Sequence, residues 1–188
     1  GLLRGGGTVS GGATVAGGTL VVSGSVSGAL ALNGGLLSGT GTVGATALNS
    51  GGVIAPGVGG IGALTTGDLT WTSGGAISFD LSSVDNTSDS LLVSGTFDLA
   101  GGSNFTFNFS GGQVGQTYTL VLFNAAGSGL TSASQFTANG APGDFTLDTN
   151  ANTLSFTMNA VPEPGTVAMM VIGLGGVVFA ARRKRQTT

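Results

Sequence analysis

Paired glycines recur along the first third of the chain at a fixed interval. The step from Gly17-Gly18 to Gly34-Gly35 is repeated from there to Gly51-Gly52, with short runs of apolar and small residues between them. A period this short constrains the fold sharply, because a unit holding a few Val and Leu cannot bury them alone. Stacked on a copy of itself, the same unit adds to a continuous core, as the coils of a β-solenoid do. The segment "ALALNGGLLSG" (29–39) returns as "ATALNSGGVIAPG" (45–57) with one residue inserted. Leu20, Val22, Val26, Leu30 and Leu32 all fall on even positions, the alternation expected of one inward face. Low-complexity Gly/Ser/Thr sequence is the competing reading, and the echo together with the alternation favours the solenoid.

A longer repeat follows. "GDLTWTSGGAISFDL" (67–81) aligns without gaps to "GTFDLAGGSNFTFNF" (95–109). Leu69, Trp71, Ile77, Phe79 and Leu81 then match Phe97, Leu99, Phe105, Phe107 and Phe109, all apolar and all at strand period. The joining piece "SSVDNTSDS" is polar and turn-rich. A strand over 118–123 and a hairpin over 145–159, turning near Asn150, complete the series. The larger apolar residues here imply a wider core, or a cap closing the thin solenoid. The expected fold class is therefore all-β, a Gly-rich β-solenoid followed by a single C-terminal transmembrane helix. Residues 1–66 form the Gly-rich coils, 67–160 the longer repeats and hairpin of the same elongated body, and 161–188 a separate tail.

The chain has no His and no Cys, and its one Lys lies in the tail. Ser-His-Asp and Cys-His catalysis are excluded, as is imidazole or thiolate ligation of zinc. Carboxylates remain: Asp68, Asp80, Asp85, Asp89, Asp98, Asp144 and Asp148. A pair of them at the right separation would serve glycoside hydrolysis, but the body offers one Trp, one Tyr and one Arg to support such a site. "DNTSD" (85–89) gathers oxygen donors of the kind Ca²⁺ takes, without the spacing of an EF-hand loop. A solvated turn is the simpler reading of it. The sequence thus calls for no catalytic residue, no cofactor and no metal. With one Arg against seven Asp before Val161, the body has no basic stripe for nucleic acid.

The tail is different. Residues 165–181 carry no charge and precede Arg182, Arg183, Lys184 and Arg185. As a helix that stretch would span about 26 Å, the short limit for a hydrocarbon core. A basic flank stays on the cytoplasmic side, which places the body across the membrane. Pro162 and Pro164 hold Val161 and Glu163 extended, and an extended strip is what a processing enzyme can grip. An exported chain needs a signal peptide and none is visible at Gly1, so the sequence is expected to lack its true start.

Two resemblances follow. The run from Gly17 to Gly57 resembles the strand repeats of autotransporter passenger domains, which implies a right-handed β-helix displayed on a bacterial surface. Val161-Pro162-Glu163-Pro164, the charge-free stretch and the terminal basic cluster resemble the PEP-CTERM sorting signal of Gram-negative bacteria. That resemblance implies an inner-membrane precursor with its body in the periplasm, processing near the motif by an exosortase, and delivery to the cell surface or extracellular matrix. It also implies exopolysaccharide or other matrix components as partners. The expected role is non-catalytic, structural or adhesive. The rivals are a polysaccharide-active enzyme using Asp pairs and a self-assembling sheath or fibre subunit.

Overall fold

The computed structural model describes residues 1–102 and 104–161. Each of the first four coils consists of three short strands joined by corners. They are β1 (Leu2–Gly5), β2 (Thr8–Val9) and β3 (Ala13–Val15), then β4 (Thr19–Val22), β5 (Ser25–Val26) and β6 (Leu30–Leu32). The third coil holds β7 (Gly35–Gly39), β8 (Thr42–Val43) and β9 (Thr46–Leu48), and the fourth β10 (Gly52–Pro56), β11 (Ala63–Thr66) and β12 (Leu69–Thr72). Every strand pairs in parallel with its counterpart one coil away. Leu2 lies beside Thr19, Thr19 beside Leu36, and Gly35 beside Gly52, which is the period read from the glycines.

The glycine pairs sit at the corner that returns the chain to the first face. Gly18 and Gly35 have φ of 76° and 78°, in the left-handed region that side chains disfavour. A Cβ on Gly35 would also lie 2.6 Å from the carbonyl oxygen of Gly18 in the coil below. The turn and the close stacking both require glycine there.

The later coils widen. β13 (Ala76–Leu81), β14 (Ser90–Ala100), β15 (Phe105–Gly111), β16 (Thr117–Ala126) and β17 (Phe136–Asn139) continue the parallel stack. The first face is a seven-stranded sheet running from β1 to β17. The other two faces merge where β14 pairs with both β11 and β12. A hairpin of β18 (Gly143–Asp148) and β19 (Thr153–Met158) then ends the parallel stack, because β19 runs antiparallel to both β16 and β18. Expected hairpin and expected cap are thus one element. One 3₁₀ turn, Ala133–Gln135, is the helical structure among the described residues, and no helix there is long and apolar enough to cross a membrane. The membrane helix expected from the sequence lies outside the described residues.

The core follows the alternation. Leu20, Val22, Val26, Leu30 and Leu32 are all buried, Leu32 completely. Leu37, Leu48 and Ile54 continue the aliphatic column, and aromatic rings replace it where the coils widen. Trp71 meets Phe105 and Phe107 edge-on at 5.3 and 5.1 Å. Phe109 stacks on Phe156 of the cap at 4.3 Å, joining cap and body through one core. Outside, Asn49 donates to Asn33 at 2.7 Å and Asn139 to Asn108 at 2.9 Å, so stacked amides add hydrogen bonds between coils.

One expected alignment is corrected. Leu69 and Trp71 do lie beside Phe97 and Leu99, as the gapless alignment has them. Ile77 and Phe79, however, lie beside Phe107 and Phe109, and Leu81 beside Gly111, a shift of two positions. The corner between β14 and β15 is longer than that between β12 and β13, and it absorbs the difference. A two-position slip keeps every side chain on its own face, so the apolar pattern alone does not reveal it.

Leu32→Ala should cost about 2–5 kcal/mol, since the thin core cannot close around the gap. Leu32→Asp should prevent folding by leaving a buried charge without a partner. Thermal unfolding of residues 1–161 measures both, and a Tm unchanged by either substitution would contradict the inward face.

Candidate functional site: the cap and the segment that leaves it

The fold uses most of its carboxylates to close turns or to join separate segments. Asp68 Oδ1 accepts the Thr96 N–H at 2.7 Å, and Asp98 Oδ1 accepts that of Gly129 at 2.8 Å. Asp148 Oδ1 accepts the N–H groups of Asn150 and Ala151 in the cap hairpin. Asp144 Oδ2 accepts Asn159 Nδ2 at 2.7 Å. A groove of about 510 Å³ runs along the third face over Ala31, Ala47 and Thr70. Asp68 is the carboxylate in its lining, already held by Thr96.

The "DNTSD" turn divides into two unlike halves. Asp85 is exposed and accepts both the N–H and the hydroxyl of Thr87, at 3.0 and 2.6 Å. The Thr87 hydroxyl, followed by Ser82 and the Thr87 N–H, holds its carboxyl below the usual carboxylate value. Asp89 is not in the solvated turn expected for it. It is 2 % exposed and clamps two coils, accepting Gly62 N–H at 2.7 Å on Oδ1 and Asp80 N–H at 2.8 Å on Oδ2. Burial pushes its carboxyl up to about 6; the Asp80 and Gly62 N–H groups pull the other way, and the Asp80 charge adds to the rise. Asp80 and Asp89 are therefore neighbours in the fold, joined through the Asp80 backbone N–H, with the Asp80 side chain exposed and Asp89 buried. The signal for Asp89 was its phase: it falls two positions before Leu91 and four before Val93, both inward.

The chain leaves the body from the cap. Met158 is fixed on both sides, its N–H donating to the Gln116 carbonyl and its own carbonyl accepting from Gly115, at 3.0 and 2.8 Å. Asn159 N–H donates to the Pro142 carbonyl at 2.9 Å. Beyond this anchor Val161 is 69 % exposed. The expected motif therefore begins two positions after the last clamped residue. Pro162, Glu163 and Pro164, with Arg182, Arg183, Lys184 and Arg185, lie outside the described residues.

Comparison with protein families decides the character of this segment. Residues 160–185 match the PEP-CTERM protein-sorting motif. No curated protein matches the sequence. The PEP-CTERM motif marks an exported chain directed toward the cell surface, with an exosortase as its processing partner. The match begins at Ala160, immediately after the clamped Asn159, so the fold and the PEP-CTERM segment meet without a linker. The match does not extend into the solenoid body, whose expected likeness to autotransporter passengers it leaves aside.

Asp89 gives the body a pH response of definite sign. Its folded carboxyl, near 6, lies above the unfolded value of 3.8. Its contribution to stability is full below pH 4 and is lost as pH rises through 6. After allowance for solvent screening the loss is on the order of 1 kcal/mol. Asp85 acts oppositely and only below about pH 4, where protonation removes its turn bonds. The Tm of residues 1–161 should therefore decline from pH 4.5 to 7. Asp89→Asn should flatten that decline while lowering the Tm throughout, because its amide cannot accept both N–H donors.

Proposed function

We propose that the body is a non-catalytic structural or adhesive element, delivered outside the cell and released or displayed there after processing near Val161–Pro164. The observation that carries this reading is the use of the acidic side chains. Asp68, Asp85, Asp89, Asp98, Asp144 and Asp148 each accept a hydrogen bond that closes a turn or joins two segments. With no His or Cys in the chain, little remains to perform acid–base or nucleophilic work. A regular surface of short strands instead offers repeated hydroxyls and amides, suited to many weak contacts with a polysaccharide matrix.

The enzyme reading would rest on a carboxylate pair, and of the two neighbouring acids Asp80 and Asp89 the second lies beneath the surface, bound to the backbone of the first. Incubating the purified body with the producer's exopolysaccharide separates the readings. No depolymerisation is expected, and cleavage abolished by Asp80→Asn would overturn the proposal. The fibre reading is weakened at the capped end, where antiparallel β19 gives no continuation of the parallel stack.

The tail is read as a membrane-held address. Its charge-free stretch, 165–181, spans the inner membrane in the precursor, and Arg182–Arg185 stay in the cytoplasm. Pro162→Ala with Pro164→Ala should slow processing in the native host by permitting helix where an extended strip is needed. Neutralising the four basic residues should let precursor escape uncut. Mass spectrometry of the surface fraction tests both, and mature protein that still contains Arg185 would reduce the tail to an anchor.

A further inference from the structure

We propose that the corner between the first and second faces is the side the body lays against the lipid surface while the precursor is still attached. This rests on the reading that residues 165–181 enter the bilayer. The corner changes character along the stack. In the first three coils it is a dipeptide: Gly6 with Gly7, Ser23 with Gly24, and Thr40 with Gly41. In the next three it becomes the loops 57–62, 82–89 and 112–116. Each of these loops directs an aliphatic side chain into solvent. Val58 is 55 % exposed, Ile61 47 %, Val84 86 % and Val114 55 %.

These tips are held in place. Asp89 ties loop 57–62 to the coil above through Gly62. The Tyr118 hydroxyl donates to the Ser82 carbonyl and accepts the Gln113 N–H, both at 2.8 Å, so one buried phenol joins the other two loops. An exposed side chain on an anchored loop contributes apolar area without the entropy cost of ordering the backbone.

The position of the chain exit names the occupant. Met158 pairs with Gly115 and Gln116, inside the loop that carries Val114. Only the segment from Ala160 to Pro164 separates the clamped Asn159 from the charge-free stretch. Fully extended it reaches no more than about 18 Å. The body is therefore confined near the bilayer, and a weak surface preference is enough to orient it. The rival orientation, cap downward, would press the outer face of β18 on the lipid, and that face presents exposed Asp144, Thr146 and Asp148. Asp85 qualifies the contact. It is exposed beside Val84 and holds its charge, so the tips rest among headgroups and favour zwitterionic lipid bearing ammonium groups over anionic lipid.

The absence of native Cys allows single labels. Full-length Val84→Cys, Val114→Cys and Thr70→Cys would each carry a polarity-sensitive fluorophore, in vesicles of phosphatidylcholine and phosphatidylethanolamine with a headgroup quencher. Thr70 lies on the third face, away from the corner. A Gly173→Cys label reports tail insertion independently. The corner labels should be quenched at least about threefold more than the Thr70 label. Adding phosphatidylglycerol should reduce the contrast, and Asp85→Asn should restore it. Equal quenching at all three body positions with Gly173 in the bilayer overturns the docking alone. A Gly173 label left in water overturns the tail reading and the docking with it.

Discussion

Everything in this body depends on parallel stacking at a constant register. A single thin coil offers two or three side chains to an interior it cannot enclose, so its apolar area leaves water only when the next coil arrives. The requirement reaches the backbone as well. Strand hydrogen bonds run from coil to coil, as Leu36 N–H to Gly18 carbonyl at 2.8 Å, so no coil satisfies its own polar groups. Glycine at the corners follows from the same demand, since adjacent coils approach too closely there for a Cβ. The stack must also stop, and an open sheet edge there is a liability. At the C-terminal end β19 runs antiparallel against β16 and covers that edge, β17 and β18 being left as edge strands, and Phe145 and Phe156 cover the aromatic core beneath the cap.

Longer corners create a second demand. Dipeptide corners keep their peptides within the stack, whereas the longer loops carry peptides out of it. The structure answers with buried acceptors and donors that face the loops from inside. Asp89 and Tyr118 are both buried, and each joins peptides of different segments. A buried carboxyl costs desolvation, which two N–H donors only partly offset, and its raised pKa near 6 expresses that balance. Trp71 Nε1 is buried without a partner among the described residues, its indole ring packed against those of Phe105, Phe107 and Phe136.

The regular part of this fold was legible because stacking leaves its period in the sequence. The constant glycine spacing specified the register, and the even positions from Leu20 to Leu32 specified the inward face. What could not be read was the length of each corner in space. A gapless alignment of 67–81 with 95–109 placed Ile77 beside Phe105, and the longer turn after Ala100 moved it to Phe107. Apolar identity does not record a two-position slip. Asp89 was missed for another reason: a polar residue in a polar run reads as solvated, although its phase with Leu91 and Val93 pointed inward. At the C-terminus the motif was legible as chemistry, two prolines, a charge-free run and a basic cluster. The abutment of that motif on the cap required the hydrogen bonds of Met158 and Asn159.

That abutment bears on what survives processing. Every pairing of β19 involves residues up to Met158, and the last clamp is at Asn159. A cut at or beyond Val161 therefore removes nothing on which the cap depends, and the mature body keeps its closed end. The charges divide at the same place: the body holds seven Asp against Arg4, and the matched segment holds the other four basic residues. A body freed of that segment would carry a net charge of −6, which favours self-repulsion between copies. The sorting segment and the solenoid thus meet at one peptide junction while depending on separate physics. Stacking governs the body, whereas the matched segment is marked by its prolines, its charge-free run and its basic cluster.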